Sequence, residues 1–245
     1  MPMDMPLPPW KQAPRARPVR RQLSREAIVD TAMAILDKEG LDAVSMRRIA
    51  QDLETGPASL YAHVGNKDEL LELVIDRVAG EMPLPVPDPE HWQEQARQMI
   101  KDAINTFVKH PGVAQVAMAG VPSGPNSLRS MEATLAVLKA GGLHNQAVAW
   151  AGDLFGSFIP STALEHALFQ AGGKTSEQVK EYFVQFGHFL RSLPAQEYPT
   201  VSALADEMVS GEGDERLDFK IDVLLAGLVA VSDRMKAQDR ATAAR

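Results

Sequence analysis

The fold is decided by the stretch SMRRIAQDLETGPASLYAHVGNKDELL, residues 45–71. Its first part repeats apolar residues at the spacing of an amphipathic helix, and Ser45 stands before the repeat as an N-cap. This helix is expected to end near Glu54. A tight turn follows, in which Gly56 is free to adopt a positive φ and Pro57 suits the first position of a second helix.

The second short helix is expected to turn Leu60 and Val64 inward. Asn66 then caps a third helix, and Glu69 takes the third position of a capping box. Two short helices joined by such a turn, with longer helices on either side, form the helix-turn-helix unit that places its second helix in a DNA major groove. The side chains predicted to face outward from this unit include Arg47, Arg48, Pro57, Ala58, Ser59, Tyr61 and His63.

Residues 53–71, LETGPASLYAHVGNKDELL, resemble the signature of the TetR family of bacterial transcriptional regulators almost position for position. The resemblance implies that Tyr61 and His63 face the DNA backbone and that Lys67 places its charge on a phosphate. Arg47 matches an arginine of the tetracycline-repressor branch and is expected to bond a guanine edge. The alternative is structural, with a core tyrosine and a solvated arginine face. The other predicted DNA contacts are Ser45, Arg48, Pro57, Ala58 and Ser59.

Basic residues are concentrated rather than abundant. The formal net charge is −7, and residues 1–80 hold 11 Lys and Arg against 12 Asp and Glu. Between Met5 and Ser24 there is no acidic residue, and the basic residues of this segment are Lys11, Arg15, Arg17, Arg20 and Arg21. Such an arm, residues 1–22, could lie on phosphates or enter a minor groove. The alternative is a solvated tail, which its prolines favour.

The composition is that of an ordinary globular protein. No cysteine is present, so disulfide bonds and thiolate metal sites are excluded. The N-terminus is rich in Pro and Arg and lacks the apolar segment of a secretion signal. The longest apolar run, residues 223–231, is about half of what a membrane-spanning helix needs. A cytoplasmic protein without a membrane partner is therefore expected.

An all-α fold is expected, because no run alternates apolar and polar residues for long enough to build a sheet. Apolar periodicity predicts helices at 24–39, 90–109, 127–140, 145–171, 176–193 and 217–235. The repeated prolines of MPLPVPDPE interrupt the helices and mark a stiff connector. The predicted domains are an N-terminal helix-turn-helix DNA-binding domain at 23–83, a connector at 84–89 and a C-terminal helical bundle for ligand binding and dimerisation at 90–240. This bundle resembles that of the tetracycline-repressor branch.

The C-terminal bundle is expected to hold a small-molecule inducer of unknown identity in an apolar cavity. The candidate lining residues are Met99, Ala103, Phe107, Met118, Met131, Trp150, Phe155 and Phe158. They could equally form an ordinary core. Aligned with the tetracycline repressors, Met99, Ala103 and Ala117 stand where those proteins have drug-contacting residues and a magnesium-ligating histidine. Tetracycline-magnesium is therefore not the expected inducer, and no metal or other cofactor is predicted.

A homodimer is expected, because one helix-turn-helix reads only a half-site. A palindromic operator presents two half-sites with centres about 34 to 36 Å apart, or a multiple of this distance. The resemblance implies a four-helix interface from the 145–171 and 217–235 helices of two chains. Its predicted residues are Ala151, Phe155, Val223, Leu224, Leu228 and Val231, although these could instead pack within one subunit.

These features predict a DNA-binding transcriptional regulator, a repressor released from its operator by a small molecule. One alternative is a ligand-independent architectural DNA-binding protein, which the acidic balance disfavours. Another is a helical protein that binds a small molecule and no DNA. Catalysis is not expected, because Gly173-Lys174-Thr175 lacks the earlier glycine of a phosphate-binding loop and the six histidines show no metal-binding spacing.

Overall fold

The structure is a computed structural model that describes residues 23–118, 120, 123–171, 176–211 and 213–244. Its α-helices are α1 (Arg25–Glu39), α2 (Met46–Asp52), α3 (Pro57–Leu60), α4 (Lys67–Ala79), α5 (Trp92–Lys109), α6 (Pro111–Ala117), α7 (Pro125–Ala140), α8 (Asn145–Ala171), α9 (Ser176–Arg191), α10 (Pro199–Ala203), α11 (Ala205–Val209) and α12 (Gly213–Ala243). A short 3-10 turn, Leu41–Ala43, lies between α1 and α2. No strand occurs within the described ranges, and the all-α prediction is confirmed.

Side-chain caps fix where three helices of the N-terminal module, α1–α4, begin. Ser24, Ser45 and Asn66 each accept a hydrogen bond from the backbone N–H three residues later. Each bond satisfies a donor that has no partner inside the helix. The Glu69 carboxylate also accepts from the Gly65 N–H at 2.7 Å, so the reciprocal bond of the predicted capping box is made to the residue before the cap. The predicted starts of α1, α2 and α4 are confirmed.

The turn between α2 and α3 differs from the prediction. Gly56 is extended, with φ of −87° and ψ of 146°, whereas Glu54 has a positive φ of 51°. The chain reverses at Glu54 because the Thr55 N–H bonds back to the Ala50 carbonyl oxygen at 2.8 Å and closes α2. Gly56 then serves as the N-cap of α3. The expected positive φ at Gly56 is therefore wrong.

The proline-rich connector is attached to the first turns of α5. The Gln95 amide donates to the Val86 carbonyl oxygen and accepts from the Asp88 N–H, both at 2.8 Å. Asp88 also bonds the Nδ1 atom of His91 at 2.9 Å. This bond lowers the pKa of the Asp88 carboxyl and raises the pKa of His91. α5 consequently begins at Trp92, slightly later than predicted.

The C-terminal bundle, α5–α12, is organised around α8, a helix of 27 residues that continues through Pro160. α8 packs against α5, α6, α7 and α12, and Ala151 and Phe155 on it are buried. α9, α10 and α11 pack on one another. The Arg216 guanidinium of α12 lies 5.6 Å from the centre of the Phe183 ring of α9. The bundle is thus built on one long central helix.

The N-terminal module and the C-terminal bundle share one apolar core. α1 and α4 pack against α6, and α4 also packs against α7. His110, which precedes α6, bonds the Asp37 carboxylate of α1 at 3.0 Å. Gly112 of α6 comes so close to α1 that an added Cβ would lie 2.6 Å from the Leu36 carbonyl carbon. The module is therefore held directly on the bundle.

We expect Gly112→Ala to lower the free energy of unfolding by about 1 to 3 kcal/mol, because the new methyl group meets backbone that cannot yield without moving a helix. Gly213→Ala is the matched control, since an added Cβ there meets nothing within 4 Å. The control should change stability by less than about 0.5 kcal/mol. Urea denaturation followed by circular dichroism measures both, and equal effects would contradict the close approach of α6 to α1.

Candidate DNA-binding surface and ligand cavity

α3 is anchored by two side chains and turns the rest of its surface to solvent. Leu60 and Val64 are 0% and 1% exposed, as predicted, and belong to the shared core. His63 is half-buried, and its backbone carbonyl accepts from Arg25 Nε at 3.1 Å. Tyr61 is 53% exposed, so it is not a core tyrosine. The other exposed residues of this segment are Pro57, Ala58, Ser59 and Ala62.

The two neighbouring arginines of α2 have different surroundings. The Arg48 guanidinium forms two hydrogen bonds of 2.8 Å with the Glu39 carboxylate, and its Nε bonds both carboxylate oxygens of Asp52 at 3.1 and 3.2 Å. The bonds to Glu39 and Asp52 raise the pKa of Arg48, and the bond to Arg48 lowers the pKa of Glu39. Arg47 is exposed and has no hydrogen-bond or ion-pair partner in the part of the chain that the structure describes.

Arg48 stays a predicted DNA contact, although two carboxylates already bond its guanidinium. A phosphate that approached this guanidinium would compete with both of them. Ser45 is exposed, but its hydroxyl accepts from the Arg48 N–H and serves as the cap of α2. Arg47 therefore remains the cation of α2 that is available to a ligand.

Lys67 is the first residue of α4 and is half-buried, with Asn66 as its N-cap. Lys67 therefore stands at the end of α4 where free N–H groups and the helix dipole also favour an anion. We define the candidate DNA-binding surface as Arg47, residues 57–59, residues 61–63 and Lys67. Its residues are exposed or, for His63 and Lys67, half-buried, and their DNA contacts stay a prediction.

Two features of the sequence lie outside the described residues. One is the predicted basic arm, residues 1–22. The other is Gly173-Lys174-Thr175, the segment that resembles only the end of a phosphate-binding loop.

A cavity of about 580 Å³ lies between α4, α5, α7 and α8, within the size range of sites for drug-sized ligands. Of the predicted lining residues, those that border it are Met99, Ala103, Phe107, Met118, Met131 and Phe155. The other two predicted lining residues, Trp150 and Phe158, do not border this cavity. Trp150 is 58% exposed, and Phe158 packs against the shared core. Because α8 carries apolar residues on both sides, the sequence does not indicate which face of α8 lines the cavity.

The contribution of α4 to the cavity was not predicted from the sequence. Ile75 and Ala79 border the cavity, on the same helix that begins with Lys67. Val74 and Val78 form the expected buried stripe of α4, and Ile75 is an apolar residue beside that stripe. An apolar side chain off the main stripe is the signal that could have indicated a second packing face.

The polar groups of the cavity are few. The Ser130 hydroxyl donates to the Ala79 carbonyl oxygen at 3.3 Å, and the Thr134 hydroxyl donates to the Ser130 carbonyl oxygen at 2.9 Å. Asp153 is the one charged side chain among the described residues that line the cavity. Across the described ranges, no group of three or more His, Asp and Glu side chains is arranged to hold a metal ion.

The residues predicted for a dimer interface divide into two groups. Ala151, Phe155 and Leu228 are 1%, 5% and 7% exposed within the single chain, so they pack inside the subunit and their assignment to an interface is corrected. Val223 is 56% exposed, and Leu224 and Val231 are half-buried. Further apolar surface on α8 and α12 comes from Trp150, Leu154 and Phe219, which are 58%, 42% and 68% exposed.

Comparison with known proteins covers both halves of the chain. Residues 28–74 match the tetR family of bacterial regulatory proteins, and residues 84–232 match the tetracyclin repressor-like C-terminal domain. An HTH-type transcriptional regulator of Saccharopolyspora erythraea is 30% identical over 228 residues, which cover 91% of this chain and 90% of that protein. The HTH-type transcriptional repressor DrrR1 of Streptomyces coeruleorubidus is 29% identical over 217 residues, 86% of this chain and 80% of that protein.

Solved structures agree with these matches. ActR, a TetR family protein of Streptomyces coelicolor crystallised in complex with actinorhodin, is 43% identical to this chain with a TM-score of 0.77. The similarity covers 86% of this chain and 98% of ActR. In the described part of the chain, no helix combines the length and apolar character needed to cross a membrane. With a helix-turn-helix module, a C-terminal bundle and family matches to each, the chain belongs to the TetR family of bacterial transcriptional regulators.

Proposed function

We propose that this protein is a ligand-responsive repressor that binds a palindromic operator as a homodimer and is released by a small-molecule inducer. The observation that carries the proposal is that α4 belongs to both sites. It begins with Lys67 at the candidate DNA-binding surface and contributes Ile75 and Ala79 to the cavity wall. A ligand that fits one position of α4 better than another therefore changes operator affinity by the difference in its two binding energies. As a regulator of transcription, the protein acts in the cytoplasm and has no catalytic role.

DNA recognition would combine few cations with a small exposed helix. Arg47 is the candidate for reading a guanine edge, and Lys67 and Tyr61 are candidates for phosphate contacts. Ala58 and Ser59 are small enough to pack against a thymine methyl or offer one hydroxyl. A net charge of −7 argues against a protein that coats DNA through a broad basic surface. Binding in pairs supplies the contact area that one module lacks.

The inducer would be an apolar molecule that carries a hydrogen-bond donor or a positive charge. The cavity walls are largely aliphatic, aromatic and methionine side chains, which favour an apolar body. Asp153 is the one acidic residue of the described cavity wall, and it has no partner among the described residues. A carboxylate accepts hydrogen bonds from donor groups of a ligand. The similar protein ActR was crystallised with actinorhodin, which is a suitable first probe.

The dimer would form through α8 and α12. Trp150 and Leu154 on α8 and Phe219 and Val223 on α12 are exposed in the single chain. Large apolar side chains grouped on two long helices indicate a surface that another protein covers. A second copy of this chain supplies the same helices to a two-fold interface and brings two α3 helices to one operator.

The proposal as a whole is tested by fluorescence anisotropy with a duplex from the region upstream of the protein's own gene. We expect binding that weakens as the salt concentration rises and exceeds binding to a scrambled duplex. Addition of actinorhodin should release the specific duplex. Binding without sequence preference would favour an architectural protein, and absence of binding at low salt would favour a ligand-binding protein without a DNA role.

Separate substitutions of Arg47 and Arg48 distinguish recognition of the base sequence from support of the fold. We expect Arg47→Ala to reduce affinity for the specific duplex by about 10- to 100-fold and to relax its preference over a scrambled duplex. Arg48→Ala should leave that preference unchanged, since its guanidinium serves Glu39 and Asp52. Anisotropy titration with both duplexes gives the two ratios. Loss of preference in Arg48→Ala alone would reverse the assignment.

Lys67→Ala should weaken binding to specific and scrambled duplexes alike, because a phosphate contact carries no sequence information. The dependence of affinity on salt concentration should become shallower, and removal of one cation from a phosphate reduces the slope by about 1. Lys109→Ala, at the exposed end of α5, is a matched control that removes the same charge. An unchanged salt slope in Lys67→Ala would argue against the contact.

Asp153 is tested with matched naphthalene probes that carry an ammonium, a hydroxyl or a carboxylate group. We expect the wild type to prefer the ammonium probe, and Asp153→Asn to reduce this preference by about three- to fivefold, the range of an exposed ion pair. Isothermal calorimetry measures each affinity. A preference for the carboxylate probe that Asp153→Asn leaves unchanged would overturn the proposed ligand class.

The proposed interface is tested by adding charge to exposed apolar surface. Val223→Glu should convert the dimer to a monomer, because two carboxylates would be buried near a two-fold axis without partners. Val86→Glu in the connector, where the valine is 85% exposed, should remain a dimer. Analytical ultracentrifugation gives the mass of each variant. A dimeric Val223→Glu or a monomeric wild type would exclude this interface.

A further inference from the structure

A carboxylate of α4 caps the N-terminus of α7. The backbone N–H groups of Asn126 and Ser127, in the first turn of α7, both donate to Asp76 Oδ1 at 2.8 Å. The residue before the helix is Gly124, which has no side chain to accept these bonds. The cap that most helices take from their own sequence is supplied here by a different helix, about 50 residues earlier in the chain.

The surroundings of Asp76 are built around this contact. The Asn126 side-chain amide donates to Asp76 Oδ2 at 3.2 Å and to the Asp76 carbonyl oxygen at 3.3 Å. An added Cβ at Gly124 would collide with the carboxylate, so only glycine lets α7 approach this closely. Asp76 is 7% exposed. We call this set of contacts the Asp76 cap.

The Asp76 cap is a strong connection between two helices. A buried carboxylate has lost its water and needs hydrogen bonds from the protein, and the free N–H groups and dipole of a helix start provide them. Parting α4 from α7 would leave both the carboxylate and the helix donors without partners. By contrast, the nearby bond from Ser123 to Glu72 is exposed, so water can replace it.

The Asp76 cap lies beside the ligand cavity. Ile75 and Ala79, on α4 next to Asp76, line the cavity, and so does Ser127, which donates to the carboxylate. Lys67 lies nine residues before Asp76, about 13 Å along the helix axis. A shift of α7 at the cavity would therefore move α4 at the cap and, through a continuous helix, reach the candidate DNA-binding surface.

We propose that Asp76 is the positioning residue that couples the ligand cavity to the DNA-binding surface, by fixing α4 to the first turn of α7. This inference rests on the proposed function and specifies its regulation. It assigns the coupling to the buried hydrogen bonds of one carboxyl group and not to the general packing of the two helices. Because coupling is reciprocal, DNA binding must also change the stability or position of the first turn of α7.

Hydrogen–deuterium exchange tests the inference without a known inducer. In the wild type, we expect the upstream duplex to slow exchange in the segment around α3 and to change exchange in the first turn of α7 by about fivefold. In Asp76→Ala without DNA, the first turn of α7 should exchange about fivefold faster, which corresponds to loss of a typical cap. With DNA, this variant should still be protected around α3 but show no response in α7.

Further variants separate the Asp76 cap from simple loss of structure. Asp76→Asn retains an acceptor oxygen and should restore part of the response, whereas Glu72→Gln, which affects the exposed bond to Ser123, should respond as the wild type does. Far-UV circular dichroism and thermal melting report folding. If Asp76→Ala does not fold, Gly124→Ala takes its place, since it displaces the carboxylate without removing it.

The outcomes are distinct for the two proposals. A response of α7 to DNA that persists in folded Asp76→Ala or Gly124→Ala overturns the role of Asp76, and so does a wild type whose α7 is unaffected by a duplex that protects α3. If no duplex protects α3, the proposed function itself is wrong, and the coupling is excluded with it. Loss of the α7 response in these variants with α3 still protected supports the inference.

Discussion

One buried carboxylate placed between two helices joins the parts of this protein that would read DNA and hold a ligand. Asp76 satisfies two backbone donors in the first turn of α7, and its removal would leave unpaired polar groups in an apolar surrounding. Around it, the side chains of α1, α4, α6 and α7 form one core rather than two separate ones. Such a contact transmits displacement, because packed and hydrogen-bonded helices move together more readily than they separate.

Charge pairing determines which cations of the N-terminal module are available for binding. Arg47 and Arg48 are adjacent in sequence, yet only Arg48 meets the carboxylates of Glu39 and Asp52. The same pairing connects α2 to the end of α1, so Arg48 supports the orientation from which Arg47 projects. An acidic protein can therefore present a local cation to a phosphate or a base, while the rest of its surface avoids nonspecific association with DNA.

Local chemistry in the sequence was sufficient to predict nine of the twelve helices of the described residues and the inward side of α3, whereas α6, α10 and α11 were not predicted. Caps such as Ser24 and Asn66 and the buried pair Leu60 and Val64 depend on neighbours within a few residues. The features that could not be predicted depend on partners far along the chain. Glu39 is separated from Arg48 by a turn between two helices, and Asp76 meets α7 about 50 residues later. The spacing of apolar and polar residues in the sequence does not indicate such pairings.

Helix faces were the second source of error. α8 is apolar on nearly all sides, so Trp150 and Phe155 were equivalent by spacing, although one is exposed and the other borders the cavity. The positive φ of Glu54 was also not predicted. A left-handed residue was expected at glycine, whereas the closing hydrogen bond of α2 imposes it on glutamate.

The exposed side chains of α3 contribute almost nothing to the stability of the fold. Pro57, Ala58 and Ser59 project from a helix whose attachment depends on Leu60 and Val64. Evolution can therefore vary these outward positions while folding stays intact. If the proposed function holds, gene duplication followed by a few changes on this face would be enough to give a descendant that controls a different promoter with the same chemical signal.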